Sequence, residues 1–310
     1  MQALHRPSFQ KEFLMDKHTK HRMTKKRNLV GWSFLIPAVI LITVMSFVPM
    51  FSALYTSFQS GKGTNLSFSG FSNYQRIFKD KVFLQSIKNC FTYLIFQVPI
   101  MLLSALVLAV MLNNPKIKGK GIMRTCIFLP CATSLVAYSI IFRTLFATDG
   151  FINLILTKIG IIDSPYNYLG HPLSARIVII IALIWRWTGY NMVFFLAGLQ
   201  NIESSVYEAA RIDGASSFTI FRKITVPLLK PTILLTAIMS TNGTLQLFDE
   251  SVNLTQGGPS NASISMSHYI YKQTFEGVPR FGYTSAMSFV ILIMVAILAF
   301  VQLKVGDKRE

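Results

Sequence analysis

Residues 201–231 read NIESSVYEAARIDGASSFTIFRKITVPLLKP, and they stand between two long apolar runs, so how this stretch is read decides the architecture around it. Ser205-x-x-Glu208 has the spacing of a capping box that opens a helix through Tyr207, Ala209, Ala210 and Ile212. Gly214 is placed to end that helix in a left-handed conformation. Ser216 or Ser217 can then cap a second helix through Phe218, Ile220, Phe221 and Ile224, and Pro227 begins the return toward the next apolar run. A bare connector needs none of this. Two readings of the residue types stand side by side. Small residues at Ala209, Ala210 and Ala215 let a helix press into a groove on another protein, with Glu208, Arg211 and Asp213 for charged contacts. Alternatively the helix lies on lipid, with Arg211, Arg222 and Lys223 at the headgroups.

Outward from this segment the chain is a membrane protein. Of its 310 residues 52% are hydrophobic and 14% charged, where a soluble domain carries about a quarter charged residues. A hydrocarbon core of about 30 Å takes roughly 20 helical residues, and six runs meet that length: 29–51, 90–112, 122–146, 177–199, 228–248 and 285–303. The run 29–51 is too long for a signal peptide and lacks a small-residue cleavage site after it, so it reads as a retained anchor. Cys90, Cys126 and Cys131 lie in or beside the runs without CxxC spacing, as ordinary buried cysteines do. Gly61 to Gly70 reads as a Gly/Ser-rich external turn region.

The net charge of +17 suggests nucleic acid only until its distribution is seen. Its densest cluster is the tail 1–28, with Arg6, Lys11, Lys17, Lys20, Arg22, Lys25, Lys26 and Arg27 directly before the first span. Basic residues there hold a segment in the cytoplasm. With the tail inside, Lys116, Lys118, Lys120 and Arg124 fall on the same side, as do Arg211, Arg222, Lys223, Lys230, Lys304, Lys308 and Arg309. The first external loop is an exception, with Lys62, Arg76, Lys79 and Lys81. Both termini are therefore expected in the cytoplasm, and nucleic acid is not expected as a partner. The expected division is a tail 1–28, a six-helix domain 29–305 containing the loop 201–231, and a short end 306–310.

The loop resembles the EAA loop of binding-protein-dependent ABC importer permeases: Glu208-Ala209-Ala210, then Asp213-Gly214-Ala215, then Phe221, Ile224 and Pro227 in order. Phe128-Leu129-Pro130, Ala197-Gly198-Leu199-Gln200, Leu254 to Pro259 (LTQGGP) and Gly282-Tyr283-Thr284-Ser285-Ala286 are similar to the carbohydrate branch, which includes the maltose permeases. The similarity runs from about Leu29 to the end and is that of the compact form, without extra N-terminal helices or a large external domain. It implies an all-α fold of six transmembrane helices, the type I permease core, in a bacterial inner membrane. Glu208, Ala209, Ala210, Arg211, Asp213, Gly214, Ala215, Phe221 and Pro227 would form the coupling helix that docks on a cytoplasmic ATPase subunit. The implied partners are an ATPase dimer, a second homologous permease, an extracytoplasmic solute-binding protein and membrane lipid. ATP and magnesium would bind the ATPase, leaving this chain without a cofactor.

Midway along the fourth run lies Trp185-Arg186-Trp187-Thr188-Gly189-Tyr190-Asn191. Charged residues at that depth usually face a cavity or a partner. Aromatic rings stack on sugar faces, and Arg, Asn and Thr bind hydroxyls; the other reading is that Trp and Arg lock helices together. Ser240, Thr241, Asn242, Gly243, Thr244, Gln246 and Asp249 make the fifth run too polar to face lipid. The maltose resemblance implies sugar contacts at Trp185, Thr188, Gly189, Met192, Ser240, Thr244 and Leu247. Met192 and Leu247 depart from the maltose pattern, which speaks against maltose itself.

The chain has no G-x-x-x-x-G-K-[ST] loop, no HExxH and no GxSxG, and its five histidines lack metal-ligand spacing, so neither an enzyme nor a metal site is expected. A channel or ion-driven carrier is the rival class, and it would need carboxylates at the span centres, where almost none occur. The expected function is a carbohydrate importer subunit working by alternating access, with glycerol phosphate or another small polar solute as the alternative cargo.

Overall fold

The computed structural model describes residues 30–306. The basic tail 1–28, Leu29, Lys308 and Arg309 lie outside the described residues. The chain divides after Thr56 into two compact units, a boundary one span later than the end of the tail. The first unit holds helix α1, Val30–Ser57, whose last residue belongs to the second unit. It carries a π segment over Thr43–Phe47 next to Pro49, whose missing N–H breaks the regular bonding pattern there.

In the second unit a hairpin, β1 (Gln59–Lys62) and β2 (Asn65–Phe68), turns at Gly63, where φ is +59°. This one small sheet is an addition to the expected helical fold. The alternation of Leu66 and Phe68 with polar neighbours, closed by a glycine, is enough to pair two short strands. There follow α2 (Ser72–Ile77), α3 (Lys81–Asn113), α4 (Lys120–Ala132), α5 (Leu135–Leu145), α6 (Phe151–Lys158), α7 (Pro172–Gln200), α8 (Ser204–Ile212), α9 (Ser217–Leu228), α10 (Lys230–Leu245), α11 (Met266–Phe275) and α12 (Phe281–Gly306).

Four helices (α1, α3, α7 and α12) are each long and apolar enough to cross a membrane; the described residues give six crossings when each bent pair counts as one. The pair α4–α5 bends by 96° and α9–α10 by 69°. The third run, expected as one helix, is therefore broken. Thr133 is extended at the break, and Pro130, which lacks an N–H, lies one turn before it. The return near the fifth run falls at Leu229, not at Pro227, because Pro231 in the first turn of α10 has no N–H to continue the preceding helix.

Three buried clusters set the direction of packing. Tyr93 of α3 packs with Val178 and Ile179 of α7, while Ala105, Leu106 and Leu112 pack with Met192, Phe195 and Leu199. The early parts of the two helices meet, and so do the late parts, so α3 and α7 run parallel. Phe83 and Cys90 packed with Tyr283 and Met287 make α12 parallel to them as well. Leu229, before α10, joins the late end of α7, and Leu245, at its far end, joins the early part of α3. Helix α10 therefore runs the opposite way. Polar side chains such as Asn89, Gln97, Thr236 and Thr241 are buried, while Ile95, Phe96, Leu103, Ile293 and Phe300 are exposed. That inverted arrangement is what lipid requires.

At the end where α3 begins, Asp80 ties three elements together, α3, α11 and α12. Its Oδ1 accepts from the N–H groups of Val82 and Phe83 and so caps α3. Its Oδ2 accepts from the hydroxyls of Tyr269 and Tyr283, each at 2.7 Å. Burial alone would push this carboxyl up; those four donors outweigh burial and hold it below the usual carboxylate range.

Candidate functional site

A cavity of about 520 Å³ lies between α3, α7 and α10, within the usual range for small-molecule sites. From α7 come Leu183, Trp187, Tyr190 and Asn191, spaced i, i+4, i+7 and i+8 along one helical stripe. From α10 come Met239, Ser240, Gly243 and Thr244, and from α3 Gln97 and Met101. Helix α10 stops at Leu245, after a run of Ser, Thr, Asn and Gly with weak helix preference. The chain beyond it, Gln246 to Glu250, continues the wall. Irregular backbone is tolerated at membrane depth where it lines such a cavity.

The polar groups on the wall are held in place. Thr244 Oγ1 donates to Gln97 Oε1 at 3.0 Å, and Gln97 Nε2 reaches Met101 Sδ at 3.1 Å. Asn191 Nδ2 donates to Trp187 O at 3.0 Å, and Ser240 Oγ lies 3.5 Å from Asn191 Oδ1. The rings of Trp187 and Tyr190 meet edge to face at 5.7 Å. Oriented amides and hydroxyls beside aromatic rings suit a polyhydroxylated solute.

Among the residues singled out from the sequence, Trp187, Tyr190, Asn191, Ser240, Thr244, Gln246, Leu247 and Asp249 line this cavity. Trp185, Arg186, Thr188, Gly189 and Met192 do not. The reason is the helical period: these five point to other faces of α7. Trp185 stacks on Tyr138 and tilts against Phe142 of α5. Thr188 bonds back to Ile184 O at 2.6 Å. Met192 is fully buried in the cluster with α3. At Gly189, a Cβ would stand 2.0 Å from Ile127 O, so its bareness lets α4 pack on α7.

Arg186 caps a broken helix. Its guanidinium donates to the carbonyls of Pro130, Cys131 and Thr133 and to Thr133 Oγ1, at 2.9–3.3 Å. These carbonyls lie at the end of α4, where the regular helical partners run out; Pro130 O also accepts from Thr133 N–H and Oγ1. The guanidinium also lies 4.5 Å over the ring of Tyr138. Reading the sequence missed Gln97 and Met101 of the second span, and Glu250. Gln97, two residues before Pro99 in an otherwise apolar run, was a visible signal.

The loop 201–231 forms the two expected short helices. Helix α8 ends in a Schellman motif: Ala215 N–H bonds to Ala210 O and Gly214 N–H to Arg211 O, with Gly214 at φ +76°. Ser216 caps α9 by accepting from Thr219 N–H. The capping box is a correction. Helix α8 starts at Ser204 with Glu203 as its N-cap, so Ser205 sits inside the first turn and bonds to Glu203 instead. Glu208, Ala209, Arg211, Asp213, Gly214 and Pro227 are exposed, Ala210 is buried, Ala215 is half-buried, and Phe221 packs on the α3–α7 cluster. Ile212 and Phe218 are 86% and 70% exposed, an apolar tip on each short helix. No ion pair among the described residues involves Glu208, Arg211 or Asp213.

Residues 91–307 match the family of binding-protein-dependent transport system inner membrane components. The chain belongs to that family. It is a multi-pass membrane subunit of a transport system and not an enzyme, which removes the rival channel and carrier classes. It is 49% identical over 296 residues to the lactose transport system permease protein LacF of Rhizobium radiobacter, covering 94% of this chain and 99% of that one. The trehalose/maltose transport system permease protein MalF of Thermococcus litoralis is 30% identical over 299 residues, covering 96% and 100%. A crystal structure of a bacterial ABC transporter that imports the acidic polysaccharide alginate has a chain that superposes with a TM-score of 0.81 at 23% identity, covering 93% of this permease and 99% of that chain. That likeness concerns the fold.

Proposed function

We propose that this permease carries an oligosaccharide or other small sugar through the cavity between α3, α7 and α10, as half of an ATP-driven importer. The observation that carries this reading is the wall itself, where Trp187 and Tyr190 stand beside oriented Asn191, Ser240, Thr244 and Gln97 groups. The permeases for lactose and for trehalose and maltose that it resembles support a carbohydrate as cargo. Alternation of the helices puts the loop 201–231 on the same side as the connection between α3 and α4, and the basic residues of both favour the cytoplasm. Both termini are then inside.

On this reading α8 and α9 are the coupling element. Glu208, Arg211 and Asp213 make polar contacts with a cytoplasmic ATPase, and Ile212 and Phe218 bury their exposed side chains there. A second homologous permease completes the pathway, and a solute-binding protein delivers the sugar outside. ATP and magnesium sit on the ATPase. Its closure moves the loop and opens the cavity inward, with energy entering through the different contacts of the two states.

The test is uptake by proteoliposomes holding the whole transporter, offered mono-, di- and oligosaccharides and glycerol phosphate. Glu208→Ala should leave the assembled permease pair intact and lower ATP-dependent uptake. Uptake that persists unchanged without the ATPase, or that is confined to a solute other than a sugar, refutes the reading.

A further inference from the structure

One wall residue is a buried carboxyl held by a buried tyrosine. Glu250 follows the end of α10, is 3% exposed, and faces the cavity. The hydroxyl of Tyr138 donates to its Oε1 in a short hydrogen bond. Tyr138 is itself fully buried, with its ring stacked on Trp185 and covered by the Arg186 guanidinium. Arg186 in turn is pinned to the carbonyl end of α4. A chain of contacts thus runs from the helix break through Arg186 and Tyr138 to one carboxyl at the cavity.

Given the solute cavity proposed above, we infer that Glu250 is its specificity-determining residue: a fixed acceptor for the hydroxyls of an uncharged sugar, with Tyr138 and Arg186 as positioning residues. A carboxylate offers about four acceptor directions, and Tyr138 takes one of them. No Lys, Arg or His side chain lines the cavity, and its other carboxyl is that of Asp249. Arg186, the nearest cation by contact to Tyr138, directs its two terminal nitrogens to the Pro130, Cys131 and Thr133 carbonyls and to Thr133 Oγ1, away from the cavity wall. An anionic solute would meet two acidic side chains and no basic side chain on the wall, which is costly in a confined, weakly polar space. A neutral solute rich in hydroxyls meets acceptors already oriented for it, without the cost of ordering them on arrival.

The experiment uses the complete transporter in proteoliposomes, with saturating sugar-loaded binding protein, and measures ATP hydrolysis and sugar uptake in the same vesicles. Glu250→Gln keeps the shape and loses the charge. It should retain hydrolysis stimulated by the binding protein, while sugar moved per ATP falls about tenfold, the scale of one hydrogen bond to a charged group. Tyr138→Phe keeps the ring over which Arg186 lies and frees the carboxyl, and should give a smaller fall in the same ratio. An unchanged ratio in both variants overturns the inference. So does failure of both to assemble, which would assign the pair to folding alone. Wild-type hydrolysis that does not respond to the binding protein would instead sink the importer reading on which the inference stands.

Discussion

Gly189→Ala adds one methyl group at the crossing of α7 and α4, and the structure sets its cost. The new Cβ would lie 2.0 Å from Ile127 O, 2.7 Å from Ile127 C and 2.9 Å from Phe128 Cα. All three are backbone atoms, so no side chain can swing aside, and relief to a normal carbon contact of about 3.5 Å requires α4 as a whole to move by more than about 1 Å. Helix preference alone would favour alanine here by about 1 kcal/mol. Overpacking against a rigid neighbour costs about 1–3 kcal/mol or more, and the end of α4 is also held by Arg186, so the clash should win by about 2 kcal/mol. Gly243→Ala is the matched control, since nothing lies within 4 Å of a Cβ there. Heating the detergent-solubilised transporter and following monodisperse protein by size exclusion reads the difference. Gly189→Ala should lower the midpoint by about 4–8 °C, taking about 2–4 °C per kcal/mol for a chain of this size, and Gly243→Ala should stay at or slightly above wild type. A Gly189→Ala protein as heat-stable as wild type, or a Gly243→Ala protein that falls equally, refutes the packing argument.

Three further outcomes follow from the same geometry. Arg186→Lys keeps the charge but loses the planar fork that reaches several carbonyls, so it should cost about 3 kcal/mol of stability; thermal midpoints check this, and a variant of full stability with altered sugar affinity would refute the capping role. Asp80→Ala removes a helix cap and the acceptor of two tyrosine hydroxyls, a loss of about 2–4 kcal/mol, visible as faster hydrogen exchange across α11 and the start of α12; unchanged exchange there would mean Asp80 ties nothing. His268, outside the spans and 2.9 Å from Ser251 Oγ, is pushed down to about 4 by burial and then by Lys272. Because the unfolded imidazole takes its proton first, near pH 6.5, the stability it contributes is whole above about pH 6.5 and is lost as pH falls toward 4. His268→Asn should flatten the dependence of the midpoint on pH between about 7 and 4.5; an equally steep variant places the acid sensitivity elsewhere.

Much of this was legible in the order of residues. The six apolar runs, the Gly214 turn and the Ser216 cap depend on composition and on contacts a few residues apart, and those are properties a short window contains. The capping box failed within such a window because the helix begins at Ser204, with Glu203, two residues before Ser205, at the N-cap position. For the cavity, the fourth and fifth runs were the right helices, yet Trp185, Thr188, Gly189 and Met192 were assigned to it on resemblance while the helical period turns them away.

What the sequence by itself determined is that this chain crosses a membrane and which segment leaves it as a pair of short helices, since hydropathy, charge asymmetry and helix breaks are local. What only the tertiary structure decided is which side of each helix matters. Arg186 could face a solute or a helix end by every rule of composition. It faces the carbonyls of Pro130, Cys131 and Thr133 because α4 breaks there and its end carbonyls lose their regular helical partners, so a donor there is needed more than in the cavity. Glu250 reached the cavity for a related reason: a carboxyl 112 residues from Tyr138 finds its partner only when α5 and the end of α10 are packed together.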